Sequence, residues 1–262
     1  MGRAPKRLLL AGITLVVALG AGALLLLVLS SPFETLAVYD VDGDVLSDQT
    51  ADPAHSEVWT RFNEIFPADT HPEVSRFRAI DAEKSNGIDG SMYASNSDRT
   101  EWELVLDATN AYGKQELNRT IIHEFAHLLT LRTDQIPVGS SPDGCAVYAP
   151  PEGCPAQDSY LHAYFSEFWA GYSTDDYSAE EKGEGGDCVG DCAKRFDTGE
   201  FVTDYAATIP TEDIAESFAE WVISDGPPEG SAIQARKFEF FERYPELVAL
   251  RDQARAGLSK AP

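Results

Sequence analysis

Positive charge is scarce in this chain. Twenty lysines and arginines stand against 44 aspartates and glutamates, a net charge of −24. Such a surface repels a polyanion, which excludes nucleic acid as a partner. The acidity reads instead as the solubility of an exposed surface. Cysteine is sparse too, with four residues in 262. Cys145, Cys154, Cys188 and Cys192 lack the spacing of a zinc ribbon or knuckle. All four follow an apolar N-terminal run, and an even number in an oxidising compartment predicts two disulfides. Of three pairings, the short separations favour Cys145–Cys154 and Cys188–Cys192. No internal repeat or long disordered tract is evident.

The N-terminus has an address of its own. Residues 1–7 form a basic tail with Arg3, Lys6 and Arg7, and an uncharged run from Leu8 to Leu29 follows. That length suits a bilayer crossing. No small-x-small cleavage site follows it, and no cysteine there invites lipidation. The expectation is a transmembrane signal anchor over 8–30, with the tail cytoplasmic and residues 31–262 outside. Cleavage of the same segment would instead secrete the remainder. Residues 31–262 suit one domain with a sizeable core.

Histidine is nearly as scarce as cysteine, at five. Two of the five, His123 and His127, stand four apart with Glu124 directly after the first. On a helix this spacing places both imidazoles on one face, able to reach one metal ion. It is the H-E-x-x-H pattern of zinc hydrolases. The apolar flanks Ile121, Ile122, Phe125, Leu128 and Leu129 predict a buried helix, starting within 114–118 and ending near Arg132. Two imidazoles leave a tetrahedral Zn²⁺ one further protein ligand and one open position. Glu124 would accept a proton from a water held there.

The remaining elements follow from local pattern. Leu36–Leu46 predicts two short strands about an Asp-Gly turn. Asp52-Pro53 predicts a helix start, continuing to about Phe66. Residues 76–80 and 102–107 predict strands. Resemblance to zinc peptidases with this helix motif, where the strand just before it often forms the cleft edge, implies that the second is such an edge, where an extended substrate can pair. His55 and His71 are expected at the surface. A helix over 159–172 carries His162, loops over 134–158 and 174–195 carry the cysteines, and a short strand is expected at 201–205. A helix from Thr211 to about Ser224 and one or two terminal helices over 231–257, broken at Tyr244-Pro245, complete the chain.

The third ligand must come from elsewhere, because Thr133 stands where the longer three-histidine pattern has its last histidine. Glu212, Glu216 and Glu220 repeat every four residues on the helix after 211, and either Glu212 or Glu216 can be the ligand. Here a resemblance is informative. His123-Glu-Phe-Ala-His127, followed by Tyr205, Glu212 and Ala215-Glu216-Ser-Phe218, resembles the gluzincin zinc peptidases of the anthrax lethal factor branch. The resemblance implies Glu212 as ligand, Glu216 holding a ligand histidine, and Tyr205 stabilising the oxyanion. It implies an α+β, zincin-like fold: a small mixed sheet, an active-site helix and a helical C-terminal half. It covers under a fifth of the chain and departs at the long insertion with the cysteines. The expected activity is zinc-dependent hydrolysis of protein or peptide substrates. A zinc-binding surface module without activity, or an amide hydrolase acting on cell-wall peptides, are the rival readings.

Overall fold

The computed structural model describes residues 32–260 except 49, 112, 173–187, 189, 229 and 230. The expected span at 8–30 therefore lies outside the described residues. Among those described, no helix is long and apolar enough to cross a membrane.

Five strands build a mixed sheet. β1 (Thr35–Asp42) turns into β2 (Val45–Leu46) through Gly43, whose φ of 62° suits the tight hairpin. β3 (Val74–Ile80) lies antiparallel to β1 and parallel to β5 (Trp102–Asp107). β4 (Gly90–Ala94) closes the sheet, antiparallel to β5, giving the order β2-β1-β3-β5-β4. β5 is thus interior, and the expectation that it forms an edge is corrected. All six of its residues are buried, including Glu103, which takes Arg78 at 2.5 Å and Tyr93 at 2.8 Å. The true edge is β4, which the Gly-rich composition of 86–93 hid.

One face of the sheet packs on helices. α1 (Pro53–Ile65) starts where the Asp52 carboxylate accepts the Ala54 N–H at 2.9 Å, with proline in its first turn. It buries Val58, Trp59, Phe62 and Ile65. Each such side chain contributes about 1.5–3 kcal/mol by leaving water. His55 and His71 are buried here rather than at the surface. The Tyr39 hydroxyl bonds His55 Nδ1 at 2.8 Å, and His71 Nε2 lies 3.0 Å from the Phe66 carbonyl. His55 is covered by Tyr39 of β1, and His71 folds back onto Trp59 and Phe62 of α1, contacts that the spacing of the histidines does not show.

α2 (Lys114–Leu131) carries the histidine pair and buries every residue from Thr120 to Leu131. It packs on β4, β5 and α5 (Pro210–Ile223). α3 (Tyr160–Phe168), α4 (Asp191–Phe196), α6 (Ala232–Glu242) and α7 (Pro245–Leu258) complete the helical half. α7 approaches α1 closely at Gly257, where a Cβ would stand 2.0 Å from the Glu64 carbonyl oxygen. Residues 201–205 form turns, not the expected strand. The Asp204 carboxylate and Thr203 hydroxyl take the Tyr205 and Ala206 N–H groups at 2.9 and 3.0 Å and bend the backbone. The disulfides Cys145–Cys154 and Cys188–Cys192 are both present, with Cα separations of 5.6 and 5.3 Å.

The rotation of α5 is fixed from behind. Asp213 is fully buried and accepts Lys237 Nζ and Trp169 Nε1, each at 2.8 Å. Burial pushes Asp213 up and Lys237 down, and their mutual attraction opposes both shifts. Losing one partner of such a pair costs about 3–5 kcal/mol, because the other charge is stranded. The opposite face of α5 is therefore held towards α2.

Candidate metal centre

Two ladders of residues face each other across the α2–α5 contact. α2 offers Arg119, His123 and His127; α5 offers Glu220, Glu216 and Glu212. Both sets repeat every four residues, so each lies on one helix face. The ladders run in opposite directions. Arg119 pairs with Glu220 and lies 3.7 Å from Glu216. His123 Nδ1 lies 2.7 Å from Glu216 Oε1. The Nε2 atoms of His123 and His127 each lie 3.2 Å from Glu212 Oε2, and 3.0 Å from each other.

Three ligand atoms thus converge at one point. A tetrahedral ion with bonds of about 2.0–2.1 Å separates its ligands by about 3.3–3.4 Å. The separations of 3.0, 3.2 and 3.2 Å are close to that. His123, His127 and Glu212 can therefore hold one cation, and among the described residues they form the only such group. Glu216 is placed differently. Its carboxylate can only accept, so His123 Nδ1 carries the hydrogen and Nε2 points inward with its lone pair. The Thr203 hydroxyl donates to Glu216 Oε2 at 2.9 Å and completes that carboxylate's support.

Register follows from the ladder. Sliding α5 by one turn would bring Glu216 to the two Nε2 atoms and Glu220 to Nδ1. Ser224 would then face Arg119, and the ion pair with Glu220 would be lost. Arg119 was not singled out in the sequence, although its place four residues before His123 is a readable signal. Thr203, two residues before Tyr205, carried no signal.

The electrostatics suit a bound cation. Burial alone would raise Glu212, but the charge of His127 and hydrogen bonds from both imidazoles hold it well below the usual carboxylate range. Burial opposes charging of His123, yet Glu212 and Glu216 hold its pKa well above the ordinary value. One buried site thus concentrates the demand for positive charge. Glu124 differs from Glu212. Burial pushes its carboxyl up, and the imidazoles offset only part of this. Its Oε2 is buried with no protein hydrogen-bond partner.

A cleft of about 1100 Å³ opens beside this cluster. Glu124, His123 and Thr120 line it from α2, Gly90 and Ser91 from β4, and Tyr205 and Glu216 from the other side. The Tyr205 and His123 ring centroids are 5.9 Å apart. Burial, with the charges of Glu212 and Glu124 nearby, raises the Tyr205 phenol, which keeps its proton at neutral pH. β4 presents an open backbone edge. Asp89 and Ser95 bond Asp107 and Glu101 across the ladder, so the alternate residues Gly90, Met92 and Ala94 turn their N–H and C=O groups away from β5. Gly90 has a steric role here. A Cβ on it would lie 2.5 Å from Thr120 Cγ2 and 3.0 Å from Glu124 Oε1, so only glycine lets β4 lie this close over α2. His162, on α3, takes no part in the cluster.

Comparison with protein-family models, curated proteins and solved structures finds no match.

Proposed function

We propose that the chain is a zinc-dependent peptidase of gluzincin type, with His123, His127 and Glu212 as the zinc ligands. The observation that carries this is the position of Glu124 and Tyr205 beside the His-His-Glu cluster, on a cleft with an open strand edge. A purely structural zinc is closed by four protein ligands and needs neither residue. The bound ion would supply Lewis acidity, lowering the pKa of a water and polarising the scissile carbonyl.

The chain's own residues do the rest. The Glu124 carboxylate accepts the attacking water's proton and then passes it to the leaving amine nitrogen. The burial that raises its pKa makes it a stronger base. The Tyr205 hydroxyl, still protonated, donates to the carbonyl oxygen as negative charge develops there. Glu216 fixes the His123 tautomer, and Thr203 and Arg119 fix Glu216. An extended segment pairs with the free backbone groups of Gly90, Met92 and Ala94. That mode suits polypeptides. We place the domain outside the cytoplasm, anchored by the 8–30 segment, in keeping with its two disulfides.

The test is cleavage of dye-labelled, denatured casein by the full chain. Zinc-loaded protein should cut it, a chelator should stop the reaction, and added zinc should restore it. Zinc-loaded protein that leaves casein and unbiased peptide mixtures intact would sink the peptidase reading.

A further inference from the structure

The segment between Phe201 and Pro210 forms no strand and no helix, yet it carries Tyr205 and leads directly into α5. Its stretch just after Tyr205 is deeply buried: Ala206 and Ala207 are fully enclosed and Thr208 is 1 % exposed. Buried irregular backbone needs partners for its polar groups. Part of the need is met internally. Ala207 N–H donates to the Asp204 carbonyl, and Thr208 N–H to that of Tyr205, both at 3.1 Å. The carbonyls of Ala207 and Thr208 face outwards from this turn, and one side chain takes both. Arg195, on α4, donates from Nε to Ala207 O at 2.9 Å and from Nη2 to Thr208 O at 3.3 Å.

Arg195 is itself buried, at 4 % exposure. A planar guanidinium gripping two successive carbonyls fixes direction as well as distance, which a lysine ammonium does not. The guanidinium carbon lies 5.8 Å from the Trp169 ring centroid, and the same indole donates to Asp213. The turn bearing Tyr205 and the helix bearing Glu212 are therefore braced from one scaffold.

We infer that Arg195 is a positioning residue: through the carbonyls of Ala207 and Thr208 it holds the Tyr205 turn in place against the His123–His127–Glu212 cluster. This rests on the reading of Tyr205 as the oxyanion donor. Arg195 touches no reacting atom. Its effect should appear in the mobility of the turn and in kcat, with KM little changed.

The experiment uses the full zinc-loaded chain with Arg195→Lys, which keeps the charge and one set of donors, beside Arg195→Met. The first readout is amide hydrogen exchange. Arg195→Lys should speed exchange at Ala207 and Thr208 by about tenfold or more, while amides of α7 stay protected, because local and global opening are separable. Equal acceleration in α7, or none in the turn, would overturn the proposal. The second readout is a double-mutant cycle with Tyr205→Phe on labelled casein. Alone, Arg195→Lys should lower kcat by about tenfold, since small misplacements of a group cost this much and more. In the Tyr205→Phe background it should cost nothing further, and fully multiplicative losses would overturn the proposal. If Tyr205→Phe by itself leaves kcat unchanged, the oxyanion reading has failed instead, and hydrogen exchange still decides whether Arg195 anchors the turn. Should Arg195→Met not fold, the lysine variant carries both readouts.

Discussion

Glu124→Gln should keep zinc bound and lower kcat by about 10²–10⁴-fold, the range for removing a general base. The amide fills the same volume but cannot accept the proton from water at neutral pH. Glu124 is not among the three converging ligands, so the substitution leaves the metal site chemically intact. Its Oε2 has no protein hydrogen-bond partner, so no structural network is broken. Zinc content, unfolding temperature and casein turnover measured on one preparation separate these effects. Undiminished turnover would remove Glu124 as the base; lost zinc would mean that it helps hold the ion.

Glu212→Ala should weaken zinc binding more than any other carboxylate substitution on α5. It removes the oxygen that lies 3.2 Å from both Nε2 atoms. Glu216→Ala removes no converging ligand atom but the partner of His123 Nδ1, together with its contacts to Thr203 and Arg119, and such supports are worth about 10–100-fold in metal affinity. Glu220→Ala breaks an ion pair with Arg119 that is partly open to solvent. Such a pair contributes about 1 kcal/mol or less. The order of loss should be Glu212, then Glu216, then Glu220, read by competition with a chromophoric chelator. If Glu216→Ala were the most severe, the two helices would sit one turn away from the arrangement described.

The candidate metal site was legible in the sequence for a physical reason. Its ligands lie on two helices, and helices convert spacing into geometry without tertiary information. His123 and His127 needed only the four-residue rule. Glu212, Glu216 and Glu220 showed a face but not a register. Register depends on how α5 slides along α2, and the Arg119–Glu220 pair helps to set it. The hidden features depend on side-chain contacts that residue spacing does not show, some between distant segments and some local. β4 was missed because Gly90 looks like a loop residue until Thr120 and Glu124 stand beneath it. Residues 201–205 carry the aromatic and β-branched residues that strands favour, yet Thr203 and Asp204 bend them into turns. His55 and His71 looked like surface residues because Tyr39 and Phe66 bring them inside.

Zinc-edge anomalous diffraction from crystals of the metal-loaded protein tests the central claim most directly. The account predicts one peak per chain, bonded to Nε2 of His123 and His127 and to Glu212 at about 2.0–2.2 Å, with Glu216 on His123 Nδ1. A peak bonded to Glu216, or a fully loaded sample with no peak at this cluster, would contradict it.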